Sequence, residues 1–114
     1  MDYEAFAKDW QDAWNSHDLT RILTHYSEDI VFQSQKAMRL VGSGEIRGKG
    51  ALRTYWARAL ETQPDLRFRV KDVFHGHGMM VITYINHKGV LAAETLRFGP
   101  DGLVNNASAC HRPV

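Results

Sequence analysis

At 114 residues the chain has the length of one domain, 1–114, and can bury roughly two-thirds of its unfolded surface around a core and a modest pocket. Apolar residues at 44% and charged residues at 24% are ordinary for a soluble globular protein, and no apolar run approaches the ~20 residues of a membrane span. A net charge of +1 excludes a general nucleic-acid binder, and the lone Cys110 excludes an internal disulfide.

The N-terminus, Met1-Asp2-Tyr3-Glu4, is acidic and lacks the basic-then-apolar layout of a signal peptide. With a single cysteine, this predicts a cytoplasmic protein. Charge is uneven along the chain. The first 29 residues carry seven acids against Lys8 and Arg21, whereas residues 36–58 carry Lys36, Arg39, Arg47, Lys49, Arg53 and Arg58 against Glu45 alone. Two solvated faces would explain this, as would a basic pocket rim that attracts anionic ligands.

In chain order, Tyr3, Phe6, Ala7, Trp10, Ala13 and Trp14 recur at helical spacing and predict an amphipathic first helix. Asn15, Ser16 and Asp18 end it, and Asp18 is a good N-cap for a second helix carrying Leu19, Ile22, Leu23 and Tyr26. Ile30, Phe32 and Ser34 then alternate with Val31 and Gln33, the period of a strand. Residues 35–48, with Gly42, Gly44 and Gly48, read as a long mobile loop of the kind that acts as a lid. A third helix is predicted from about Lys49 to Thr62, and Pro64 bars its continuation.

Four strand-like runs follow. The first contains Leu66, Phe68 and Val70 and slips phase near Asp72, which predicts a bulge. The others span Met79 to Asn86, Leu91 to Phe98 and Val104 to His111, separated by His75-Gly76-His77-Gly78, Asn86-His87-Lys88-Gly89 and Gly99-Pro100-Asp101-Gly102. Met79 to Ile85 is apolar on both faces, which predicts a partner subunit over its outer side and hence a homodimer.

The stretch Ala13-Trp14-Asn15-Ser16-His17-Asp18-Leu19, with Ile22-Leu23, Tyr26, Asp29 and Phe32, resembles the nuclear transport factor 2-like superfamily in its SnoaL-like and ketosteroid-isomerase-like branch. Gly48-Lys49-Gly50-Ala51-Leu52-Arg53-Thr54-Tyr55-Trp56 looks like the start of that family's third helix. The resemblance covers nearly the whole chain. It implies an α+β fold, with three N-terminal helices packed on a strongly bent, mainly antiparallel sheet. Such a cone-shaped, cystatin-like roll encloses a pocket. The fold hosts isomerases, dehydratases, cyclases, epoxide hydrolases and binding modules, so function has to be argued from the site.

Glu94 is the leading candidate catalytic group. It shares a strand face with Ala92, Leu96 and Phe98, so its carboxyl points inward, where burial raises its pKa. A protonated carboxyl can donate to a carbonyl or a developing oxyanion. Counted back from Leu96-Arg97-Phe98, the position matches the protonated oxyanion-hole aspartate of the ketosteroid isomerases that the chain resembles. A structural glutamate bonded to an indole N–H or the backbone is the alternative. Aligned through Asn15 and Asp18, the family's catalytic base falls at Ser34, its oxyanion-hole tyrosine at Trp10 and the supporting tyrosine at Trp56. A hydroxyl cannot act as that base unaided, and an indole cannot share a proton as a phenol does.

Trp10, Trp14, Tyr55 and Trp56 form an aromatic wall that is either plain core or a clamp for a flat apolar ligand. Phe32, Thr83, Tyr84 and Leu96 complete the expected ligand-binding set, with Thr83 or Tyr84 opposite Glu94 across the sheet. His111 shares a face with Ala107 and Ala109 and is a candidate base at the pocket mouth. His17 and His87 read as surface residues and His25 as a residue near the surface. Cys110 reads as packed. His75 and His77 lack a third ligand at a usual spacing, so no metal and no cofactor are expected. The sequence therefore predicts a protein that binds a small apolar or aromatic ligand, with an anionic one among the options. It has no nucleic-acid or membrane partner. Isomerase, cyclase or dehydratase chemistry would rest on Glu94, Ser34 and His111. The alternative is a non-enzymatic dimeric interaction module.

Overall fold

The computed structural model describes residues 1–113. Helix α1 (Tyr3–Ser16) begins where the Asp2 carboxylate accepts from the Ala5 N–H at 3.0 Å. It buries Ala7, Trp10, Ala13 and Trp14. His17 ends it in the left-handed region, φ 59°, which a side chain rarely adopts. Its ring Nε2 donates to the Leu66 carbonyl at 2.7 Å, fixing the chain at that corner.

Helix α2 (Leu19–Leu23), capped by Asp18, is a single turn and a half, and strand β1 (Tyr26–Ser34) follows. Tyr26, expected on the second helix, instead opens this strand, because the helix stops at Leu23. The 35–48 segment is not a plain loop. Ser34 ends β1, and its hydroxyl accepts from the Lys36 N–H at 3.2 Å, starting helix α3 (Gln35–Val41). Strand β2 (Glu45–Arg47) then returns antiparallel beside β1, pairing Ile46 with Phe32. Among the described residues there are four helices rather than three. Helix α4 (Lys49–Thr62) matches the expected span.

The remaining strands are β3 (Arg69–Gly76), β4 (Met79–Ile85), β5 (Leu91–Phe98) and β6 (Val104–His111). The six-stranded sheet has the order β2-β1-β6-β5-β4-β3, and only the β1–β6 pair is parallel. A bulge between Val70 and Asp72 bends β3, as the phase slip predicts, and the Thr83 hydroxyl accepts the Asp72 N–H there at 2.9 Å. β3 is an edge strand, and α1 side chains satisfy backbone groups just ahead of it and on its open side. Asn15 accepts the Phe68 N–H at 2.7 Å and donates to the Phe68 carbonyl at 2.9 Å, and Gln11 accepts the Val70 N–H at 2.7 Å.

The helices cover one face of the sheet, α1 against β3 and α4 against β1, with α2 touching both helices. The aromatic core lies between the layers. Trp14 meets Trp56 edge-on at 4.9 Å, and Trp10 stacks on Phe68 at 5.5 Å. The other sheet face carries no helix among the described residues. It presents Phe74, Val81, Thr95 and Ser108 in one row across β3, β4, β5 and β6. Phe74 is 58% exposed.

Candidate functional site

Strand alternation turns Ala92, Glu94 and Leu96 of β5 toward the helices. Glu94 is 3% exposed. Its neighbours across the sheet are Ile82 on β4 and Ala109 on β6, so neither Thr83 nor Tyr84 stands directly opposite. The seven-residue β4–β5 register fixes this, pairing Ile85 with Leu91. Burial alone pushes the Glu94 carboxyl up to about 8, with no cation or hydrogen bond to offset it. The group is therefore mostly a neutral acid at pH 7 and can donate.

Glu94 faces a cavity of about 70 Å³. Helix α1 contributes Trp10 and Trp14 to its wall, and α4 contributes Tyr55, Trp56 and Ala59. β1 adds Phe32 and Ser34, the 63–68 segment adds Gln63, Leu66 and Phe68, and β4 adds Tyr84. The expected lining residues Thr83 and Leu96 are not in it. Thr83 lies on the outer face, occupied with the bulge, and Leu96 is fully buried beneath the core. Tyr55 and Tyr84 have hydroxyls raised above the usual tyrosine value, by burial first; Glu94 adds to the shift in both. Fully buried Tyr26 is raised likewise, and the Trp10 indole N–H lies near its hydroxyl without a hydrogen bond.

The cavity shares Ser34, Lys36, Asn86, Ala109 and His111 with a broader groove of about 920 Å³, and these residues form its mouth. Burial first, then Lys36 and Arg39, holds the His111 imidazole below its ordinary value, so it is neutral at pH 7 and can accept a proton. Of the cationic run 36–58, only Lys36 and Arg39 reach the groove, because Arg47, Lys49, Arg53 and Arg58 lie on β2 and α4 away from it.

His87, expected at the surface, is 8% exposed at its side chain and lines the cavity. Neither ring nitrogen has a hydrogen-bond partner among the described residues, although Nε2 lies 3.6 Å from an Asp65 carboxylate oxygen. Its turn composition gave no sign of this. Only the long-range packing of the 63–68 segment over the turn covers it. Cys110, expected to be packed, is exposed on the outer sheet face. His25 pairs with Asp9 at 2.7 Å, and the His75 ring stacks on Tyr3 at 4.5 Å. Among the described residues, no three His, Cys, Asp or Glu side chains gather as a metal site would need. Among the described residues no helix is long and apolar enough to cross a membrane.

Comparison with known proteins agrees with this architecture. The SnoaL-like domain model matches residues 7–107. A SnoaL-like protein of unknown function from Burkholderia thailandensis is 37% identical, with a TM-score of 0.94 over 97% of this chain and 94% of that one. An NTF2-like protein of unknown function from Burkholderia pseudomallei shares 15% identity and superposes with a TM-score of 0.77 over 98% and 92% of the two chains. TerC, crystallised with polyporic acid, shares 13% identity and a TM-score of 0.78 over 95% and 90%. No curated protein matches the sequence. With the match spanning most of its length, the chain belongs to the SnoaL-like family.

Proposed function

We propose that the protein binds a small, largely apolar carbonyl compound in the Glu94 cavity, with Glu94 donating a hydrogen bond to the carbonyl oxygen. The Glu94 carboxyl carries this reading: it is buried, shifted to about 8 by burial alone, and open to the cavity. A buried polar group without a partner costs roughly 1–3 kcal/mol, a cost that a purely structural position would avoid with leucine. The aromatic walls suit a planar group. A cavity of about 70 Å³ admits an acyl group, with the rest of the ligand in the mouth. The crystallisation of TerC with polyporic acid supports the same use of the fold.

Glu94 and His111 are shifted in opposite directions, the pattern of an acid and a base sharing one site. An enzyme of this kind would enolise its carbonyl ligand. Glu94 would stabilise the oxyanion, His111 would take the proton, and Ser34 and Tyr55 would orient the ligand. Isomerase, cyclase and dehydratase reactions that remove a proton alpha to a carbonyl pass through such a step. The uncovered sheet face with Phe74 supports a homodimer in either case, and by itself supports the reading of the chain as a dimeric interaction module.

Acetophenone tests the binding reading by calorimetric titration. Glu94→Gln keeps a donor and should retain part of the affinity. Glu94→Leu should lose about 1–3 kcal/mol through the unpaired ligand oxygen. Equal affinity for the wild type and Glu94→Leu would remove Glu94 from the site.

A further inference from the structure

The groove at the cavity mouth is lined by Lys36, Arg39, Lys88 and Arg112 and by no aspartate or glutamate. The four cations come from three separate places, α3, the turn after β4 and the end of β6, so the fold brings them together. None of them joins an ion pair among the described residues. The pairs that exist use Lys8, Arg21, His25, Arg47 and His87. Their mutual repulsion is visible at Lys36, whose ammonium is held below the usual lysine value by desolvation and then by Lys88 and Arg39. A concave site lined by one sign of charge concentrates the opposite sign.

Lys36 is the one cation that lines both the groove and the cavity. The cavity interior offers a neutral acid and aromatic rings, and an anion there would be desolvated and unpaired. Any anionic group is therefore favoured outside the mouth and opposed inside it.

We propose that the ligand is a small amphipathic organic anion. Its carbonyl-bearing apolar head enters the cavity to meet Glu94, and its anionic group stays at the mouth on Lys36 and Arg39. This rests on the Glu94 reading above and adds the ligand's charge and orientation.

The test uses 4-acetylbenzoate, (4-acetylphenyl)acetate and 3-(4-acetylphenyl)propanoate, each beside its methyl ester, by calorimetry at low salt. At least one carboxylate should bind on the order of tenfold more tightly than its ester, the effect of two partly exposed ion pairs. That advantage should shrink in 0.5 M salt and in Lys36→Gln and Arg39→Gln. The ester's affinity should fall less than the acid's in both variants. Glu94→Leu should weaken acid and ester alike, which separates the two readings. If the esters bind as tightly as every acid, the anion proposal is overturned and the Glu94 cavity stands. If no member of the series binds, both fall.

Discussion

Burying a carboxyl with no cation beside it stores a proton in the native state. Glu94 holds its proton up to about 8 when folded, against about 4.5 for the free side chain, so the folded chain binds more protons between those values. Stability from this group is fully present below the unfolded pKa and is lost as pH rises through the folded one. Across that window the wild type should lose roughly 1.4 kcal/mol per pH unit, and Glu94→Gln should flatten the slope. Urea titrations at several pH values check this; parallel slopes for both proteins would contradict it. Ser34 illustrates a different limit. Its hydroxyl caps α3 by accepting the Lys36 N–H, and no acid supports it as a base. Purified protein should therefore show no isomerisation of a 3-oxo-Δ5-steroid, measured by absorbance of the conjugated product. Residue parity in the sequence was enough to turn Glu94 inward and to put His111 at the mouth. It could not locate His87, whose burial is imposed by residues about twenty positions away, nor place Ile82 opposite Glu94, which depends on how the 86–89 turn closes.

Element boundaries followed local chemistry wherever that chemistry was strong. α4, β5 and β6 have the ends that Pro64, the Asn86–Gly89 turn and the Gly99–Gly102 turn dictate. The 35–48 segment was harder to read. Its glycines suggested a loop, yet Ala37 packs fully into the core and organises a seven-residue helix around one buried methyl group. Two glycines at the start of α4 show why glycine count alone misleads. Gly48 sits at φ 91°, where a side chain strains the backbone even though a Cβ would touch nothing closer than 3.9 Å. Gly50 lies within the helix, exposed, with open space around it. Gly48→Ala should destabilise by about 1–3 kcal/mol. Gly50→Ala should stabilise by about 0.4–1 kcal/mol, by restricting the unfolded chain and favouring helix. Chemical denaturation with an unchanged m-value checks both, and equal signs would refute the distinction.

At the scale of the molecule, one sheet face packs on helices and the other is bare. Phe74, at 58% exposure, stands in the bare face beside Val81. If a second copy covers it, Phe74→Lys should shift light scattering at micromolar concentration from twice 13 kDa to 13 kDa while leaving the circular dichroism spectrum intact. A wild type that is already monomeric would exclude the dimer. The strand order also has a temporal side. Among the described strands the last in chain order, β6, is the one that lies between β1 and β5. Until it emerges, the N-terminal ribbon of β1 and β2 and the meander of β3, β4 and β5 share no backbone hydrogen bonds across the gap. A nascent chain on the ribosome therefore carries two half-sheets with open edges, each able to recruit a stranger. The floor beside Glu94 is complete only when Ala109 arrives with β6. The sheet thus hardly folds in instalments, and its exposure to chaperones is greatest until β6 has emerged.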